Sequence, residues 1–125
     1  IQKTYDLSVK LNTLGWNTYA AMALPGSPLY TLARSAGTKL PEAYEEFSFH
    51  SYETLPLPTA TLSAARILQL RDQKFTEYFG RPEFLKKIER QFGQNAVNNI
   101  VLMNQKKLKR KIIEVDPNLN EQVER

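Results

Sequence analysis

Nine consecutive residues, Trp16 to Leu24 (WNTYAAMAL), carry no charge, and Pro25-Gly26 stops them at once. A short apolar run bounded by a turn signal reads as a buried strand. Apolar on both faces, it points to a parallel sheet covered on each side. The small Ala20, Ala21 and Ala23 would let another element pack close. Ser27 then stands where a helix N-cap is wanted, and Pro28 suits the first helical position because its missing N–H costs nothing there. Leu29, Leu32 and Ala33 give that helix an apolar face until Gly37, a natural stop. Upstream, residues 3–12 read as the end of a helix carrying Tyr5, Leu7, Val9 and Leu11, with Gly15 as the break. Helix, strand, tight turn and helix make a piece of an α/β repeat. Its lone strand needs neighbours that the remaining residues do not clearly supply.

From Thr38 to Leu62 the texture changes. Pro41, Pro56 and Pro58 punctuate it, with Tyr44, Phe47, Phe49 and Tyr52 between them, so an extended, aromatic-rich connection fits better than a helix. Irregular segments this long are often functional or pinned against another surface. Ser63 caps the strongest helix, residues 63–79, with Ile67, Leu68, Arg71, Phe75, Tyr78 and Phe79 on one stripe. Gly80 ends it. Pro82 opens a second helix, residues 82–92, whose Phe84, Leu85, Ile88 and Phe92 share a face before Gly93. A third is expected over 94–114, closed by Pro117, with a polar tail over 116–125. The expected class is therefore α+β, mostly α.

With 125 residues, 42% of them hydrophobic, the chain suits one domain with a real core. No apolar run approaches the roughly 18 residues that cross a bilayer, and a cytoplasmic protein is the simplest expectation. The first residue is Ile1 rather than Met, which raises the expectation of a portion of a longer protein. Cysteine is absent, so disulfides and thiolate-held zinc or iron–sulfur clusters are excluded within these residues.

The net charge of +4 is uneven. Lys106, Lys107, Lys109, Arg110 and Lys111 crowd one short stretch, which reads first as a solvated helix face and second as a contact for nucleic acid or an acidic membrane surface. Arg71, between Leu68 and Phe75, is either a snorkelling side chain or a guanidinium that pairs a buried carboxylate or holds the irregular segment by its carbonyls. His50 is the single histidine, set among aromatics in FSFHSYET, and reads as a packing residue before a catalyst. No Ser–His–Asp set or carboxylate pair can be assembled from residue order. Pro25-Gly26-Ser27 lacks the glycines and lysine of a phosphate loop. It does place free N–H groups beyond the expected strand's carboxyl end, the side on which parallel α/β proteins bind ligands.

Four stretches taken together, NTYAAMALPGSPLYTLARSAG, FSFHSYETLPLPT, LSAARILQLRDQKFTEYF and FLKKIERQFG, resemble the C-terminal quarter of cobalamin-binding radical S-adenosylmethionine proteins. That group includes the anaerobic magnesium-protoporphyrin IX monomethyl ester cyclase. The resemblance spans residues 4–113. It implies that residues 1–37 are the last helix–strand–helix of a partial (β/α) barrel and that residues 38–115 are an irregular connection followed by a helical extension. It implies a parent with a four-iron, four-sulfur cluster, S-adenosylmethionine and cobalamin, held by a barrel and a cobalamin domain that would be this chain's partners. Tyr19, Met22, Pro25, Gly26 and Ser27 would then lie near the cofactor and substrate cavity, with His50 and Tyr52 lining or capping it.

The chain departs from the family in lacking the cysteines of the cluster loop, so the resemblance assigns it no catalytic residue of its own. Self-association through the unpaired strand is a further expectation. The alternative to a non-catalytic piece of such an enzyme is a basic helical binding module. It is disfavoured for nucleic acid because no stacking aromatics interleave with the lysines.

Overall fold

A computed structural model describes residues 1–116 and 119. Its regular structure is helical. The elements are α1 (Gln2–Leu11), α2 (Pro28–Ser35), a 3₁₀ turn (Tyr44–Phe47), α3 (Ala64–Gly80), α4 (Pro82–Phe92), α5 (Gln94–Gln105) and α6 (Lys111–Glu114). No strand occurs among the described residues, which overturns the α+β class and the barrel segment. Trp16–Leu24 runs without helix or strand, and Ala21 accepts one backbone bond, from the Leu57 N–H at 2.8 Å, with no ladder around it. An apolar run becomes a strand only when a neighbour pairs its backbone. Here the run instead supplies small side chains, Ala20 and Ala23, to a buried interior. The sheet edge expected to drive self-association is thus missing among the described residues. Most of the expected tail, 116–125, lies outside them.

The residues fall into two compact units, each built from distant parts of the chain. The first comprises residues 1–18 and 72–107. Its core is aromatic: Tyr5, Tyr78, Phe84 and Ile88, with Trp16, Phe79 and Leu85 packed against them. Trp16 stacks on Tyr78 at 5.2 Å and meets Tyr5 edge-on at 5.8 Å. Edge-on and offset ring pairs of this kind favour one arrangement beyond what area burial alone provides.

α1 ends at Asn12, whose left-handed backbone (φ 47°) suits an asparagine better than most residues. Its last carbonyls are taken by side chains from far along the chain. Arg81 donates to the Val9 carbonyl at 3.2 Å and to Asn12 Oδ1 at 2.9 Å, Lys87 donates to the Asn12 carbonyl, and the Tyr78 hydroxyl donates to the Thr13 carbonyl at 2.9 Å. These bonds satisfy acceptors that a helix end otherwise leaves open. Arg81 also lies over the Tyr78 ring, 4.2 Å from its centre. α4 and α5 pack together across Gly93, whose φ of 81° permits the sharp turn.

The second unit comprises residues 19–71 and the chain from Leu108 onward. Ser27 caps α2 as the sequence predicts, accepting from the Tyr30 N–H at 3.1 Å, and Gly26 precedes it at φ 85°. Ser63 caps α3 through the Arg66 N–H at 3.1 Å. Buried Pro41, Thr54, Leu55, Pro56, Ala65 and Leu68 belong to this unit.

The helix expected over 94–114 breaks. α5 ends at Gln105, and residues 106–110 run without helix before the short α6. In one continuous helix Lys106, Lys109 and Arg110, and likewise Lys107 and Lys111, would stack at three- and four-residue spacing, where like charges repel.

Candidate functional site

The second unit gathers the residues that the sequence singles out, and its best-built feature is the loop that carries His50. The 3₁₀ turn before it is closed by Glu46, whose carboxylate accepts the backbone N–H groups of Glu42 at 2.6 Å and Ala43 at 2.9 Å. Those two bonds, first from Ala43 and then from Glu42, hold the Glu46 carboxyl below its ordinary pKa. The Leu55 N–H then returns to the Glu46 carbonyl at 2.9 Å, closing residues 46–55 into a ring of chain.

Arg110 fills the inside of that ring. It is 2% exposed, and its Nη1 donates to the Phe49 carbonyl at 2.9 Å, the Ser51 carbonyl at 3.0 Å and Thr54 Oγ1 at 3.0 Å. A buried cation is tolerated when its donors are matched by acceptors. Carbonyl oxygens that face inward in an irregular loop need donors in turn. Thr54, wholly buried, donates its own proton toward the carbonyls of Ser48 and Ser51. The next residue adds a backbone bond, from the Lys111 N–H to the Tyr52 carbonyl at 2.9 Å.

His50 sits on a turn, exposed, between the two carbonyls that Arg110 holds, and its imidazole takes no hydrogen bond from or to the described residues. Tyr52 is exposed, but its hydroxyl is committed, donating to Glu114 at 2.6 Å, and that bond pushes the phenol pKa up. Tyr19 packs its ring on Phe49 at 4.5 Å, which brings one residue of the expected cofactor rim to the residue next to His50. Met22 is half-buried, and Pro25 and Gly26 are exposed.

Ser27 is not available to a ligand through its hydroxyl, which donates to the Leu24 carbonyl at 2.7 Å while capping α2. The PGS turn therefore ends one segment and starts a helix. Arg71 is half-buried on α3, and the task considered for it, holding the irregular segment by its carbonyls, is performed by Arg110. Sequence reasoning missed Arg110 by placing it on a solvated helix face. The available signal was a lone arginine among lysines.

An iron–sulfur cluster needs thiolates and there are none. The expected rim for S-adenosylmethionine offers a serine hydroxyl already used in both directions. Among the described residues no group of three or more histidine and carboxylate side chains could hold a metal ion, and no helix is long and apolar enough to cross a membrane.

The first unit carries a separate groove of about 440 Å³, lined by Thr76, Phe79, Gly80, Leu85, Val101, Asn104, Gln105 and Lys107. Asn104 donates to the Thr76 carbonyl at 2.9 Å, but its Oδ1 is buried without a donor.

Compared with known proteins, the chain matches no family model, no curated protein and no solved structure.

Proposed function

We propose that this chain is a non-catalytic helical portion of a cobalamin-type radical S-adenosylmethionine protein, and that it presents the rigid 46–55 loop, with His50 at its exposed turn, to the part that carries the chemistry. The observation that carries this reading is the loop itself. A buried arginine, a buried threonine and a backbone bond fix its main chain, while the one imidazole at its tip engages none of the described residues. Loops positioned by a rigid scaffold are where contacts to ligands concentrate. The order of the FSFHSYETLPLPT and PGSPLY motifs supplies the class of parent. The chain has no cysteine with which to ligate a cluster.

The test begins with the open reading frame that contains these residues, which must encode a CxxxCxxC loop upstream. Reconstituted anaerobically with iron and sulfide, the full protein forms a four-iron cluster and releases 5′-deoxyadenosine from S-adenosylmethionine. Residues 1–125 alone do neither. A reading frame without the cysteine loop, or cleavage by the 125-residue chain, overturns the reading.

A further inference from the structure

We infer that Arg110 is the positioning residue for His50. The relation is geometric. The carbonyls that Arg110 holds, at 2.9 and 3.0 Å, belong to Phe49 and Ser51, the residues on either side of His50. The third bond, to Thr54 Oγ1, locks the guanidinium against the loop's return strand of chain. Lys111, the next residue, repeats the grip at Tyr52 through its backbone N–H. The Phe49 carbonyl belongs to the peptide unit that enters His50, the N–H of the unit that leaves it reaches the Ser48 carbonyl at 3.4 Å, and the Ser51 carbonyl fixes the unit after that, while the imidazole finds no partner among the described residues.

All three acceptors converge on one nitrogen, Nη1, and the shorter stem of a lysine stops its ammonium short of that position. Ordering a loop before it meets its ligand removes that entropic cost from the binding step. His50 is accordingly delivered to its contact already oriented, by a residue 60 positions downstream that never meets the ligand. This inference rests on the reading of the loop as a contact surface, and its test separates the two.

His50 is the single histidine, so its imidazole signals in an NMR spectrum of the 125-residue chain are unambiguous. In the unaltered chain the amide heteronuclear NOE values of Phe49, His50 and Ser51 match those of α3. Arg110→Lys lowers them over 49–54 and narrows the imidazole lines, while amides of α4 and α5 keep their values. If Arg110→Lys does not fold, Thr54→Val removes one of the three acceptors and gives the same readout. Loop order unchanged in a folded variant overturns the inference.

In the full-length parent, His50→Ala and Arg110→Lys each lower kcat by about tenfold or more, as small misplacements at a site do, and the double variant is no slower than His50→Ala. Full activity in His50→Ala defeats the contact-loop reading itself. A slow His50→Ala whose effect adds fully to that of Arg110→Lys defeats only the link between the two residues.

Discussion

The Tyr52 hydroxyl donates to the Glu114 carboxylate at 2.6 Å, joining the loop to α6 across 62 residues of chain. The phenol can make this bond only while protonated, so its pKa is raised above the ordinary 10.0. A raised folded-state value means the bond contributes fully below pH 10 and is lost as pH climbs through the higher folded value. Burial pushes the Tyr5 phenol up as well, so spectrophotometric titration at 295 nm is expected to show two late-ionising tyrosines, of which Tyr52→Phe removes one. Unfolding midpoints above pH 10 should fall less steeply in that variant.

Glu46 behaves in the opposite sense. Its carboxylate accepts two backbone N–H groups and its pKa is lowered, so its contribution is present above the ordinary value and disappears as pH falls through the depressed one. Glu46→Gln is expected to flatten the acid limb of the stability curve. Denaturant unfolding between pH 5 and pH 2, at about half-unit steps, reads this directly.

Thr54 is wholly buried, with its hydroxyl shared between Arg110 and the loop carbonyls. Thr54→Val keeps the shape and leaves those partners short of a bond, which costs about 1–3 kcal/mol. Urea unfolding followed by circular dichroism is the check, and a loss below half a unit of that range would show the hydroxyl to be idle.

In the first unit Tyr78 is wholly buried, and its hydroxyl reaches both the carbonyl and Oγ1 of Thr13. Tyr78→Phe is expected to cost about 1 kcal/mol. Tyr78→Ala also removes the ring against which Trp16 stacks, for a loss of about 3–5 kcal/mol. The contrast between the two, in thermal or urea unfolding, separates the bond from the packing.

Ser27→Ala is expected to cost about 1 kcal/mol through the lost cap of α2. Gly26→Ala costs about 1–2 kcal/mol because an L side chain is strained at φ 85°. Loss of helical circular dichroism on heating checks both.

The helices as far as α4 were readable because their periodicity and caps are local. Ser27, Ser63, Pro82 and Gly93 act within a few residues of themselves, and the stripe holding Tyr78 and Phe79 repeats at helical spacing. WNTYAAMAL misled because a strand is defined by a partner, and composition does not say whether one exists. Trp16 then joined the aromatic core of the first unit while Ala20 and Ala23 went to the second. Of the candidate site, His50 and Tyr52 were visible by chemistry alone. Arg110 was hidden because hydropathy counts a guanidinium as solvated, and only the loop's inward carbonyls reveal that it is not.

The way α1 is finished has a consequence for how the chain comes to be made. A ten-residue helix is marginal by itself in water, and the groups that take its final carbonyls sit at Tyr78, Arg81 and Lys87, between 65 and 75 positions later. Synthesis runs from α1 toward α4, but structure in this unit runs the other way. A nascent chain must carry α1 unfinished past the whole of residues 19–71 before anything arrives to secure it. The earliest-made helix of this chain is thus among the last to be fastened.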